Sequence, residues 1–212
     1  NAQSSEGFDA LIDDQRESVA SLRAHIADQF LDGVVDADGN AIVVDGLSWG
    51  GMRGDSRVAQ IQLGAAGVNF DFTDVTKTGA EVRAAFIQVR DVLWIDNNCG
   101  QDATYYVSRE VMSNFERRYS TSFDSKTIQQ ELEGMQGVAV IKSSSKLTGN
   151  QLMAFPLDTN KIRPVSGMGI NTVAMPRPVY NSNYEFAVWG AVGFEVRTDF
   201  AGNTCASYSS VF

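Results

Sequence analysis

The sequence predicts an α+β fold in which helices come first along the chain and strands dominate later. Three observations support this prediction: a long amphipathic helix pattern near the N-terminus, capped helices in the middle, and a strand-rich segment from residue 137 onward. The chain has no fixed-period repeat and no low-complexity tract. Its 212 residues, of which 43% are hydrophobic, can form one large domain or two small ones.

Residues 9–32 are predicted to form one long helix, because apolar residues recur at intervals of seven, three, four and four positions. Gly33 is expected to end it. At 1.5 Å per residue, this helix would be about 36 Å long, the width of a whole small domain. The apolar residues are Ile12, Val19, Leu22, Ile26 and Phe30.

The residues after this helix are of types that favour β-strands. Residues 34–35 and 41–44 are predicted to pair as a β-hairpin around a turn at residues 36–40, where Asp, Gly and Asn are turn-forming residues. The glycine-rich residues 46–54 lack the Lys-Ser/Thr ending of a phosphate cradle, so we predict a flexible loop there.

The middle of the chain carries helix-start signals. Thr78 and Glu81 form a capping box that opens a helix reaching residue 93. Residues 103–107 are predicted as a short buried strand, with Ser108 as the N-cap of a helix to about residue 119. A short helix is expected over residues 125–133, ended by Gly134.

From there to the C-terminus strands are predicted. A terminal β-hairpin is expected, because two alternating runs, residues 193–197 and 204–208, flank a turn at residues 201–203. The other predicted strands are residues 137–141, 151–155, 170–175 and 184–197.

The charge balance argues against tight binding to nucleic acid. A net charge of −9 and a pI near 4.6 leave too few clustered Lys and Arg side chains to neutralise phosphates. The apolar stretches are far shorter than the roughly 20 residues that a membrane-spanning helix needs, and the first residues show no export signal. We therefore predict no specific DNA binding and no membrane segment.

Cys99 and Cys205 are the only cysteines and lie far apart in the sequence. A long-range disulfide between them is possible, but we predict two small buried thiols and assembly in a reducing, intracellular compartment. His25, the single histidine, cannot complete a zinc site with two scattered cysteines. It is predicted to be a partly buried structural histidine rather than a catalytic base.

No catalytic, cofactor-binding or metal-binding residues are assigned. The segment with Gly46, Ser48 and Gly50 carries the letters of a nucleophile elbow, and we do not assign it as one. The acidic pairs Asp13 with Asp14 and Asp36 with Asp38 could hold a cation or serve a glycosidase. A calcium loop at residues 36–47 lacks its closing Glu, because Leu47 stands there, so a turn is favoured.

The order of these elements resembles the major capsid proteins of tailed bacteriophages, which have the Hong Kong 97 fold, and the related encapsulin shell proteins. The resemblance covers nearly the whole chain and lies in the order of elements rather than in one diagnostic motif. The segments that carry it are residues 9–33 with 41–47, residues 82–93 with 105–115, residues 132–155, and residues 188–200.

The resemblance implies a spine helix, a peripheral domain and an axial domain. We expect residues 1–75 to hold the spine helix and peripheral strands, residues 76–180 the axial-type domain, and residues 181–212 further peripheral strands. The family also has an N-terminal arm and an extended loop before the spine helix. Here the chain starts almost at that helix and with Asn1 rather than Met, so we expect that these parts were removed or are not recorded; the alternative is a shortened shell protein.

The function that the resemblance implies is that of a major capsid protein without enzymatic activity. Many copies would form pentamers and hexamers of an icosahedral phage head, assembled in the host cytoplasm and located in the virion. Portal, scaffold and decoration proteins are further expected partners, and the packaged DNA would not be bound specifically. No cofactor is expected.

Two alternatives stay open at this stage. A phage decoration, tail or other binding module shares the strand-rich content and the acidic charge. A hydrolase that uses the carboxylates of Asp36 and Asp38 is the second alternative.

Overall fold

The computed structural model describes residues 2–34, 38, 40, 42–43, 48–64, 67–121, 126–175 and 186–211, with residues 2–12, 167 and 191 described as backbone only. The helices are Ala2–Asp32 (α1), Gly51–Gly54 (α2), Gly79–Asp91 (α3), Arg109–Phe115 (α4) and Ile128–Glu133 (α5). A π-helical turn, Val92–Asp96, continues α3. The strands are Ala59–Gln62 (β1), Ala103–Val107 (β2), Val138–Ser143 (β3), Leu152–Phe155 (β4), Ile162–Ala174 (β5), Phe186–Val196 (β6) and Ser207–Ser210 (β7).

Five of these strands form one mixed sheet in the order β1-β7-β4-β2-β3. The last strand, β7, lies inside the sheet, parallel to β1 and antiparallel to β4. Strands β5 and β6 pair only with each other in the described structure and form a separate antiparallel ribbon. The described part of the chain therefore has two sheets, and its last strand lies within the five-stranded one.

Two hydrophobic clusters hold the elements together. The first packs the apolar faces of α3, α4 and α5 on the five-stranded sheet, with Phe72, Phe86, Tyr105 and Phe115 fully buried at its centre. The aromatic rings of this cluster meet mainly edge to face. The second cluster joins the end of α1 and the segment around α2 to the other sheet face. Its buried members are Leu31, Trp49, Met52, Val58, Leu147, Met153, Val196, Ala206 and Tyr208.

The long N-terminal helix is confirmed and begins earlier than predicted. α1 spans 31 residues, about 46 Å at the usual rise. Gly33 ends it with φ +90°, a conformation that favours glycine, and its N–H donates to the carbonyl of Gln29 at 3.0 Å.

The glycine-rich segment is not the flexible loop that we predicted. Gly51–Gly54 forms one helical turn (α2) packed against the end of α1. Gly51 has φ +77°, and a Cβ there would lie 2.3 Å from the carbonyl oxygen of Leu31 and 2.4 Å from the nitrogen of Gly33. Glycine is needed because two backbones touch at this point, and the contact fixes the segment.

The helix starts in the middle of the chain are confirmed by their caps. The Thr78 side chain accepts from the Glu81 N–H, and the Glu81 carboxylate accepts from the Thr78 N–H at 2.8 Å. Ser108 caps α4, and the Ser108 side chain accepts from the Val111 N–H at 3.1 Å. Thr127 is the N-cap of α5, so this helix begins at Ile128 rather than at residue 125.

Helix α4 is shorter than predicted and ends at Phe115 instead of near residue 119. After it, the Tyr119 N–H donates to the Lys126 carbonyl, and the Ile128 N–H donates to the Arg117 carbonyl, each at 2.9 Å. The chain leaves the helix because these backbone groups pair with the segment that precedes α5.

The predicted terminal hairpin is wrong. β6 pairs with β5 along its length, whereas β7 pairs with β1 and β4 in the other sheet. A single bridge between Thr198 and Thr204 is the remnant of the expected pairing. An alternating pattern shows that a segment is a strand but not which strand it pairs with.

Other strand predictions differ in extent. β5 begins at Ile162 rather than at residue 170, and β1 was not predicted. The hairpin predicted over residues 34–44 lies largely outside the described residues. Within the described part, the Ile42 N–H donates to the Val34 carbonyl at 2.9 Å, and neither residue belongs to a named strand.

The prediction of two free thiols is also wrong, because Cys99 and Cys205 form a disulfide with their Cα atoms 5.4 Å apart. Both residues are buried. The bond joins the turn after the π-helical segment to the residues that lead into β7. A sequence separation of 106 residues hid the pairing, since only the tertiary fold brings the two together.

We expect that reducing this disulfide destabilises the folded chain. Closing a loop of this length removes conformational entropy from the unfolded state. We therefore expect reduction of the bond to lower the free energy of unfolding by about 3 kcal/mol. For a chain of this size this corresponds to a fall in Tm of about 6–12 °C. Thermal unfolding of the unassembled chain with and without dithiothreitol measures it. The Cys99→Ser variant is the control, whose Tm should not respond to the reductant; an unchanged Tm of the reduced wild-type chain would contradict the expectation.

Candidate functional site

The histidine that we predicted to be partly buried is in fact exposed. His25 lies on α1, with its Nε2 atom 3.1 Å from the amide nitrogen of Gln29. It lines a shallow surface groove with Phe186 and Val188 of β6. The α1 periodicity placed it beside the apolar face, but this part of α1 faces only the narrow ribbon and leaves the ring in solvent.

The acidic pairs do not form a site within the described residues. Asp13 and Asp14 are exposed on α1, and Asp13 lies 3.6 Å from Arg16 one turn later. Asp38 is exposed, and Asp36 lies outside the described residues. The described part of the chain contains no group of three or more side chains that could hold a metal ion, and none of its helices is long and apolar enough to cross a membrane.

Ser48 does not form a nucleophile site, although residues 46–50 have the spacing of a nucleophile elbow. Ser48 is exposed, and its carbonyl accepts from Arg57 at 2.9 Å. The next residue, Trp49, is buried and donates to the carbonyl of Gln29 at 3.1 Å. The segment therefore serves to dock α1, and His25 lines a groove that does not include Ser48.

Arg53 on α2 connects α1 to the five-stranded sheet. Its guanidinium lies 2.5 Å from the Asp32 carboxylate and donates to the Tyr208 hydroxyl and the Lys146 carbonyl, each at 3.2 Å. Burial alone would lower the pKa of Arg53, but its hydrogen bonds to Tyr208 and Asp32 raise the pKa above its usual value. A second ion pair, Lys146 with Asp28 at 2.7 Å, holds the same junction.

Asp55 fixes the turn after α2. This buried carboxylate accepts from Arg57 at 2.6 Å and from the Gly50 N–H at 3.1 Å. Burial alone would raise the pKa of Asp55, but the hydrogen bonds from Arg57 and Gly50 outweigh it and hold the pKa below its usual value. The carboxylate is thus a structural anion.

The surface that stands out is apolar and lies on the β5–β6 ribbon. α1 packs along β6, yet Val165, Met168, Val173 and Trp189 of the ribbon stay exposed. A two-stranded ribbon is marginally stable by itself, and exposed apolar patches mark interaction surfaces. The exposed apolar side chains of the ribbon are suited to contact with another polypeptide.

The fold is similar to that of solved virus-shell proteins. The capsid of Myoviridae phage XM1 matches with a TM-score of 0.68 and 12% identity over 95% of this chain and 65% of that chain. The capsid of an empty GTA particle matches with a TM-score of 0.53 and 15% identity over 93% of this chain and 64% of that chain. The virus-like particle from Pyrococcus furiosus matches with a TM-score of 0.53 and 11% identity over 74% of this chain and 57% of that chain.

These likenesses confirm the expected fold, an α+β architecture of the Hong Kong 97-like capsid type. The chain belongs to the family of unknown function DUF6260, whose model matches residues 1–209. No curated protein matches it. The chain spans 57% to 65% of the length of the three solved chains.

We expect the substitution Arg53→Met to loosen α1 from the sheet. It removes the bonds to Asp32, Tyr208 and Lys146 while keeping most of the aliphatic stem, and hydrogen bonds to charged groups contribute about 1.5–3 kcal/mol each when buried. Because Arg53 is partly solvated, we expect a loss of about 1–2 kcal/mol in the free energy of unfolding. Urea unfolding of the unassembled chain measures it. Arg16→Met, which breaks an exposed pair on α1, is the matched control and should change stability by less than about 0.5 kcal/mol.

Asp55 should make stability depend on pH in the acid range. Its native pKa lies below the unfolded value of about 3.9, so its contribution is fully present above that value and is lost as pH falls toward the native pKa. We expect Asp55→Asn to be less stable than wild type at pH 7 and to lose less stability between pH 5 and pH 3. Urea unfolding at several pH values measures this. Parallel pH curves for the two proteins would refute the role of this carboxylate.

Proposed function

We propose that this chain is a structural shell protein, the major capsid subunit of a phage-type icosahedral particle. The observation that carries the proposal is the likeness to the capsid of Myoviridae phage XM1 over 95% of the chain. Two further likenesses, to the capsid of a GTA particle and to a virus-like particle, point to the same use of the fold. They do not favour a binding module or a hydrolase.

The surface chemistry supports self-association. The ribbon exposes large apolar side chains, and covering them with a neighbouring chain would gain free energy. Pentamers and hexamers would repeat one set of contacts by symmetry, so that many modest contacts add up to a stable shell. The subunit would act by assembly and not as an enzyme.

The strand pairings suggest how the two domains of such a subunit are built. We propose that the five-stranded sheet with α3, α4 and α5 is the axial-type domain, and that α1 with the β5–β6 ribbon is the peripheral domain. This grouping differs from the boundaries expected at residues 75 and 180, because β5 and β6 stand on either side of residue 180 and β7 returns to the larger sheet.

The remaining partners are proposed on the same ground. The virion would be the place of the assembled protein, and the host cytoplasm the place of assembly. The net charge of −9 suits a wall that faces packaged DNA without adhering to it. Portal, scaffold and decoration proteins would attach to the assembled chain.

Electron microscopy of the full-length chain at micromolar concentration tests the proposal. We expect closed, uniform shells or rings of five and six subunits, and the same species should sediment far faster than a 23.0 kDa monomer. The chain should be studied both without and with an excess of a macromolecular crowding agent, so that weak assembly is not missed. Monomers or trimers that stay small under both conditions would overturn the capsid proposal.

A further inference from the structure

The disulfide between Cys99 and Cys205 lies where the helix layer meets the last strand of the sheet. Cys99 follows the π-helical turn that continues α3, and Cys205 stands two residues before β7 begins at Ser207. Both cysteines are buried members of the first hydrophobic cluster. The bond therefore links α3 to the strand with which β1 pairs and on which the docking of α1 depends.

Contacts that do not involve sulfur hold the turn of Cys99 against the residue before Cys205. The Cys99 N–H donates to the Leu93 carbonyl at 3.1 Å, which fixes the turn to the π-helical segment. The Asn97 side-chain amide donates to the Thr204 carbonyl at 2.6 Å. These hydrogen bonds do not require the sulfur–sulfur bond, so they can keep the two thiols close in the reduced chain.

The residues on either side of Cys205 are also held by the segment that leads into β1. The Thr204 hydroxyl donates to the Arg57 carbonyl. The Ala59 N–H donates to the Ala206 carbonyl at 2.9 Å. Cys205 thus lies between two residues that are fixed by hydrogen bonds, and the dithiol form of the chain can fold to the same structure.

Strand β7 is the part of the sheet that such a bond would secure. It has four residues, and its pairing with β1 closes the long segment of residues 63–206. A short strand whose pairing closes a long loop opens locally at a small cost in free energy. Its release would free β1 and break the hydrogen bond from Arg53 to Tyr208. A covalent bond at Cys205 opposes this opening, because it anchors the start of β7 to the turn after α3.

We propose that Cys99 and Cys205 form a redox latch on β7: the subunit folds and assembles as the dithiol, and the disulfide forms afterwards in the assembled particle. The timing rests on the proposed shell function, because assembly in a cytoplasm takes place where thiols are kept reduced. The oxidant is a small disulfide of the glutathione disulfide type. Each cysteine loses one proton and one electron as the sulfur–sulfur bond forms, and the oxidant takes up both and is reduced to two thiols.

The latch acts within a subunit and not between subunits. Both sulfurs belong to one chain, in which the two Cα atoms lie 5.4 Å apart, so the bond adds no link to a neighbour. Oxidation should therefore change how readily β7 opens and leave the contacts between subunits as they were.

Amide hydrogen exchange of the unassembled chain, followed by mass spectrometry, tests the latch. Oxidised wild type is compared with wild type in dithiothreitol and with the double variant Cys99→Ala with Cys205→Ala. We expect the amides of β1 and β7 to exchange about 10- to 100-fold more slowly in the oxidised chain. The amides of the β5–β6 ribbon are the internal control and should not change, since the ribbon does not pair with β7 in the described structure.

Two results of this experiment would overturn the latch. One is equal exchange of β1 and β7 in the oxidised and reduced chains. The other is an equal acceleration of the ribbon on reduction, which would show general destabilisation. Circular dichroism checks the folding of the double variant, and the comparison of wild type with and without dithiothreitol decides the case where that variant misfolds.

Trapping of thiols during assembly tests the timing. Cells that express the chain are lysed directly into an alkylating reagent, and we expect newly formed shells to carry two free thiols per subunit. Incubation of untrapped shells with glutathione disulfide should then convert these thiols to the bond. The critical concentration for assembly should agree within about 3-fold between reduced wild type and the double variant.

The outcomes separate this inference from the shell function. Shells that already carry the bond when trapped, shells that form only from oxidised chains, or shells that do not oxidise would overturn the timing alone. If wild type forms no shells under any condition, the proposed function fails and the timing fails with it. The exchange experiment decides the latch in either case, because it is made on the unassembled chain.

Discussion

The five-stranded sheet depends on the pairing of β7, the last strand, with β1 and β4. Among the described strands, β1 pairs only with β7, and the register runs from Ala59 opposite Ser207 to Gln62 opposite Ser210. Residues 63–206 lie between these two strands, so their pairing carries a large loop-closure cost. The disulfide from Cys99 to Cys205 at the start of β7 reduces that cost in the oxidised chain.

The docking of α1 depends on the same strand. Tyr208 of β7 is buried in the second hydrophobic cluster and accepts a hydrogen bond from Arg53, which in turn pairs with Asp32 at the end of α1. Beside it, the close backbone contact of Gly51 with Leu31 holds α1 to α2. The helix, the ribbon packed along it and the larger sheet therefore meet where the C-terminal end of α1 reaches β7.

Local signals in the sequence predicted local structure well. The capping residues Thr78 and Ser108, and Gly33 after α1, act within a few positions of themselves, so sequence alone could place these helix ends. Several element bounds were also misplaced, such as the end of α4 and the start of β5, but the failures that changed the topology were non-local. The partner of β6, the pairing of Cys99 with Cys205, and the packing of the glycine-rich segment depend on residues far away in sequence, which a pattern of neighbours does not encode.

The candidate assembly surface escaped prediction for a related reason. A catalytic or metal site requires particular polar residue types, and their scarcity here was readable from the sequence. An assembly surface uses the same apolar residues as a core: Val173 and Trp189 belong to predicted strands, and their residue types do not mark them as exposed. Symmetry also removes the need for a strong local signal, because a contact repeated in every copy can be small and still decide the assembly. The fold of a shell protein can therefore be identified more readily than the residues that form its contacts.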